Sequence, residues 1–123
     1  MEDYLHKIPK IEDRTSLTKI RLSNHHLAIE VGRHNKIPKE NRFCPFCPTI
    51  VEDEKHFIII CQAYNQRRTL FLKEIRSQQK HIHYYNDQTL FEFILKDSEI
   101  SKMAAKFLTD ILKQRKSLLE ERI

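Results

Sequence analysis

The sequence predicts a small, mostly α domain: four to five helices built around a cysteine-rich knuckle, with two short strands beside it. Three observations predict it. Apolar residues recur at helical spacing in several segments of the 123-residue chain. Glycine occurs once, which argues against a β-rich fold with many tight turns and against a glycine-rich phosphate loop. All the cysteines, Cys44, Cys47 and Cys61, fall in one short stretch, so one local structure gathers them.

Length and charge set the frame. A chain of 123 residues suits one domain, or one compact fragment of a longer polyprotein. Hydrophobic residues make up 40% and charged residues 32%, the balance of a polar globular chain. No apolar run approaches the ~20 residues that span a bilayer. The opening "MEDYLHKIPK" has no apolar signal region, so the expected setting is intracellular, nuclear or cytoplasmic. Net charge is +5, unevenly spread. Residues 1–43 carry +3, residues 44–62 carry −2, residues 63–86 carry +4, and residues 87–123 balance. Basic segments thus flank the cysteine stretch on both sides, a pattern suited to RNA or DNA phosphates. A plain solvated basic surface would look the same at this level.

Residues 12–28 read as the first helix, with Leu17, Ile20, Leu27 and Ala28 near one face and Lys19 opposite. Thr15 or Ser16 is the expected cap. Gly32 is expected to end this segment or turn the chain, because it alone takes positive φ cheaply. Pro38 marks an extended approach to the knuckle, so residues 12–41 form the N-terminal helix and linker.

The knuckle spans residues 42–62 and reads C-x2-C-x8-H-x4-C. Three cysteines cannot all pair within one chain. Zn2+ takes four ligands in a tetrahedron and accepts thiolate sulfur and imidazole nitrogen. Cys44 and Cys47 supply one edge from a tight turn stiffened by Pro45 and Pro48. His56 and Cys61 supply the other. The acidic run Glu52, Asp53 and Glu54 suits the start of a short helical turn carrying His56 and leading to Cys61. A redox reading of C-P-F-C lacks the βαβ setting of dithiol enzymes. Cys–His nucleophilic catalysis lacks an orienting group and an oxyanion hole. A saturated ligand set leaves no position for a reactive water, so no enzyme is expected. His25, His26, His34, His81 and His83 read as exposed or hydrogen-bonded histidines, since no further cysteine accompanies them.

Residues 63–80 form a basic helix. Tyr64, Phe71, Leu72 and Ile75 share a face, and Lys73, Arg76 and Lys80 gather on an adjacent one. Residues 81–88 read as a loop with Asn86 and Asp87 as turn formers. Residues 88–123 hold two C-terminal helices, Gln88–Leu95 and a long one capped at Ser98. In the latter, Ile100, Ala104, Phe107, Ile111 and Leu118 repeat at four- and three-residue steps, broken at Gln114. That stripe fits a face packed on the core or a homodimer seam.

The run "RLSNHHLAIEVGRHNKIPKENRFCPFCPTIVEDEKHFIIICQAYNQRR" resembles the zinc-binding segment that follows the polymerase domain in non-LTR retrotransposon-type reverse transcriptases. The likeness lies in Arg21, Ser23, Asn24, His25, Leu27, Ile29, Glu30, Gly32 and Arg33. It continues in Ile37, Pro38, Lys39, Glu40, Arg42, Cys44 and Cys47, and then in Asp53 or Glu54, His56, Phe57 and Cys61. The usual proline after the last cysteine is Gln62 here. It covers about residues 17–72. The resemblance implies a non-catalytic CCHC knuckle that binds nucleic acid beside an upstream polymerase domain. The expected phosphate contacts are Arg33, Lys36, Lys39, Arg42, Arg67, Arg68, Lys73 and Arg76. The alternative is a zinc-pinned protein-interaction or dimerisation module that uses its C-terminal helix.

Overall fold

The computed structural model describes residues 10–22 and 27–121, the side chains of Lys80 and His81 excepted. These residues are mostly helical. Helices α1 (Ile11–Arg21), α2 (Ala28–His34), α3 (Asn65–Gln78), α4 (Asp87–Lys96) and α5 (Ser101–Glu120) accompany a two-stranded hairpin. Its antiparallel strands are β1 (Phe43–Cys44) and β2 (Cys47–Val51). Single-turn helical pieces at Lys39–Asn41, His56–Ile60, Gln62–Tyr64 and Lys80–Tyr84 link the longer elements.

The core is organised on α5. Ile100, Ala104, Leu108 and Ile111 are fully buried along it. Helix α1 lies along α5 and presents Leu17 and Ile20 to the core. Between the two helices the Thr109 hydroxyl donates to Ser16 Oγ at 2.8 Å, and at the rim Lys113 pairs with Glu12 at 2.7 Å. Helix α3 packs on another side of α5, where the Phe71 and Phe107 rings stack with centroids 4.4 Å apart and planes 3° from parallel. Helix α4 closes the remaining side with Leu90 and Ile94. The apolar stripe of α5 is therefore a core face of this chain, and Leu118 packs against the same core.

Several expected boundaries move. The helix expected over 12–28 is interrupted. Leu22 already departs from helical geometry (φ −94°, ψ 5°), and α2 starts afresh at Ala28. Thr15 and Ser16 do not cap α1; their hydroxyls donate back to the Ile11 and Glu12 carbonyls from inside the helix (2.9 and 3.1 Å). Ser98 does not cap α5 either. Asp97 Oδ1 accepts from the Glu99 and Ile100 amides there, and α5 begins at Ser101. Asn86 caps α4 by accepting from the Thr89 amide at 2.8 Å.

Gly32 lies within α2, and it is Lys36 that takes the left-handed conformation, with φ 59°. The Ile37 amide donates to the Gly32 carbonyl (2.8 Å) and the Lys36 amide to the Arg33 carbonyl (3.3 Å), which is a Schellman ending. Glycine is needed at 32 for another reason: a Cβ there would collide with the Arg42 side chain, whose Cδ would lie 2.7 Å away. Arg42 crosses that space to donate to the carbonyls of Ile37 (2.9 Å) and Ile29 (3.0 Å). It thereby closes the loop between α2 and the hairpin.

Candidate metal centre

The hairpin delivers the first two cysteines. Cys44 and Cys47 face each other across a turn made by Pro45 and Phe46. The Phe46 amide donates to Cys44 Sγ at 3.4 Å, so the turn's backbone already points a partial positive charge at that sulfur. The second pair comes from the helical turn. Asp53 Oδ1 accepts from the His56 amide at 2.7 Å and starts the turn, as the acidic run leads one to expect. The Phe57 amide donates to Asp53 in ordinary i→i−4 fashion (3.1 Å), but the Cys61 amide reaches back five residues to the His56 carbonyl (2.7 Å). The turn is thus wound one residue wide, as a π-helical turn. That closure sets residue 61 over residue 56 and explains why the His–Cys spacing is x4.

The four side chains converge. Sγ of Cys44, Cys47 and Cys61 and a ring nitrogen of His56 all lie within 4.8 Å of one another. Cys61 Sγ is 3.8 Å from Cys44 Sγ and 3.9 Å from Cys47 Sγ. A tetrahedral ion with metal–sulfur bonds of ~2.3 Å needs a sulfur–sulfur edge of about 3.8 Å. Both ring nitrogens of buried His56 lack a hydrogen-bond partner among the described residues. A buried imidazole without partners is costly unless a lone pair goes to a metal. Burial holds His56 below its ordinary pKa, so the ring is neutral and able to ligate. Burial pushes the Cys44 thiol up, and the Cys61 thiol up to about 12. Thiolates in this pocket need a cation. The group is a Cys3His set able to hold a metal ion.

Behind the cluster lies a buried ion pair that the sequence conceals. Glu52 is completely buried. Arg115 of α5 donates to both its oxygens, Nε to Oε2 at 3.0 Å and Nη2 to Oε1 at 2.7 Å. The Ala28 amide at the start of α2 donates to Oε1 as well (2.7 Å), and the Cys44 thiol lies 3.9 Å from Oε2. One carboxylate thus ties the hairpin to α2 and to α5. The only prior sign was Arg115's position, four residues beyond Ile111 on the buried stripe of α5.

The expected phosphate contacts separate into two groups. Arg68 is buried, not on the surface. It donates to the carbonyls of Ile58 (2.7 Å), Phe57 (3.4 Å) and Cys61 (2.7 Å) and to Asn65 Oδ1 (3.0 Å). It satisfies carbonyls that the wide turn leaves open, and it sets a positive charge behind the thiols. Arg42 is likewise spent on the two carbonyls of its loop. Lys36, Lys39 and Lys73 are exposed, and Arg76 is half-buried. Arg33 is exposed but paired with Glu30 at 2.6 Å. Arg67 faces α5, donating to Gln114 at 3.0 Å with Asp110 at 3.9 Å. His34 and His83 are exposed. His25 and His26, like Ser23 and Asn24, lie outside the described residues, as does the His81 side chain. Among the described residues no helix is long and apolar enough to cross a membrane.

Comparison with known proteins returned no matching family, no matching characterised protein and no matching solved structure.

Proposed function

We propose that the chain is a non-catalytic, zinc-stabilised nucleic-acid-binding module, similar to the C-terminal region of a retroelement reverse transcriptase. The convergence of three sulfurs and an orphan imidazole at tetrahedral spacing carries the metal half of the reading. Cys44, Cys47, His56 and Cys61 would hold Zn2+, which supplies structural cross-linking there. With all four positions taken by protein, none is left for a reacting water. The partner half rests on charge: basic segments flank the knuckle, and Lys36, Lys39 and Lys73 stand exposed on them. RNA or DNA held through phosphates fits that surface. An upstream polymerase domain would place such a module beside template or target strands. A partner seam on the final helix is not favoured, because its apolar stripe is already buried within the chain.

Two measurements test the reading. Cobalt-substituted protein should show thiolate-to-metal charge-transfer bands, and purified protein should carry one zinc per chain; metal-free, fully folded protein removes the first half. For the second half, log K for a duplex should fall linearly with log salt. Lys36→Gln, Lys39→Gln and Lys73→Gln together should flatten that slope by about two to three units if each touches one phosphate. An unchanged slope removes those contacts.

A further inference from the structure

We infer that the exposed ring of Phe43, beside the basic loop 36–39, is a stacking platform for an unpaired base, so the nucleic acid this surface fits is single-stranded. The inference rests on the nucleic-acid reading above and narrows it. Two aromatic rings flank Cys44. Phe46 is half-buried and meets Tyr64 edge-on, with centroids 6.2 Å apart, so it belongs to the packing around the sulfur cluster. Phe43 begins the hairpin and leaves 43% of its surface to solvent.

The surroundings of Phe43 name the partner. The side chain of Arg42 pins the preceding loop to α2, so residues 37–42 form a closed loop that leads directly into Phe43. Lys36 and Lys39 are exposed on and beside that loop, and Lys36 is fixed in a left-handed backbone state by the Schellman bonds. With Arg33 paired to Glu30 and Arg42 spent on its loop's carbonyls, Lys36 and Lys39 carry the open positive charge of this stretch, beside Glu40. An apolar protein partner would match the ring and not the charge. A duplex would match the charge and not the ring, because its bases are stacked on one another. A single strand offers an anionic backbone and a free base face together, the combination that basic grooves with aromatic platforms bind.

The test uses the zinc-loaded full chain and fluorescence anisotropy. The probes are labelled single strands of about 20 nucleotides, as RNA and as DNA of one sequence, and the matching duplex. Phe43→Ala should weaken binding to both single strands roughly 5- to 150-fold. It should change duplex binding less than twofold and leave the salt slope as it was, since no charge is removed. Phe43→Trp should restore single-strand affinity. Thermal melting and cobalt spectra of each variant check that the fold and site persist. Equal losses on duplex and single strand, a loss on only one kind of single strand, or no loss at all would overturn the platform and leave the charge-based reading standing. Wild-type protein that binds none of the probes at low salt would overturn both.

Discussion

At the scale of single residues, Lys36 and Arg115 each hold a position that their residue type resists. Lys36 occupies a left-handed conformation that costs an L-residue about 1–2 kcal/mol, a place where helices usually put glycine. Lys36→Gly should relieve that strain and lose part of the gain to the freer unfolded chain, for a net stabilisation of about 0.5–1 kcal/mol in a denaturant titration. If the lysine meets a phosphate, the same change should lower the duplex salt slope by about 0.9. Stability and binding would then move in opposite directions, as expected where a strained residue serves a ligand. Arg115 holds the buried Glu52 carboxylate. Arg115→Leu keeps the side-chain bulk and strands that charge, so it should cost about 3–5 kcal/mol in chemical unfolding. A loss below 1 kcal/mol would mean that Glu52 finds another partner. The Cys3His cluster is legible in the sequence because its chemistry is local and its spacing is short. Glu52–Arg115 is not, because the two residues lie far apart in sequence. Arg68 passes for a surface cation in the sequence, because nothing in "QRRTL" says which arginine turns inward.

At the scale of elements, the wide helical turn is the piece on which the candidate site depends. An ordinary α-turn closes four residues back; this one closes five, and the extra residue carries Cys61 onto the sulfurs of the hairpin. Deleting the exposed Ile60 removes one residue from the turn without removing a ligand or a core side chain. The turn should then revert to α spacing and swing Cys61 away from the cluster. Cobalt titration should show a weaker charge-transfer band, with affinity at least tenfold lower. Retained affinity would show that the π winding is incidental. Periodicity gave the sequence reading helices α3, α4 and α5 nearly as they stand, since each buries a clear stripe. It missed the break after α1, because Leu27 continues the apolar pattern of Leu17 and Ile20 even though it enters the core from a second helix.

At the scale of the whole molecule, the candidate metal site, shared by the hairpin and the helical turn, is wired to α2 and to α5. Glu52 receives α2 through the Ala28 amide and α5 through Arg115. Loosening the hairpin therefore loosens more than the hairpin. Protons compete with a metal ion for the thiols of Cys44 and Cys61. Burial raises Cys44 above its usual 9.0 and Cys61 to about 12, so the metal-free site holds these two thiol protons through neutral pH. His56 is shifted the other way and is already neutral there. Binding should therefore release at least two protons per ion, and affinity should fall as pH falls. The slope of log K against pH should reach at least about two between about pH 6 and 8. Chelator competition across that range, with calorimetry in buffers of different ionisation enthalpy, measures it. Release of one proton or none would mean the thiols are not the ligands.

The pairing of α1 with α5 has a consequence in time. Leu17 and Ile20 bury themselves on a helix that begins only at Ser101, about eighty residues later. At translation rates of about 5–20 residues per second, α1 emerges some 4–16 s before its packing surface exists. The stretch from Cys44 to Cys61 is complete within about 1–4 s of its first cysteine. Ion capture can thus precede closure of the core. The knuckle would form on the ribosome as the first fixed point, and the apolar face of α1 would stay unburied until the last helix arrives.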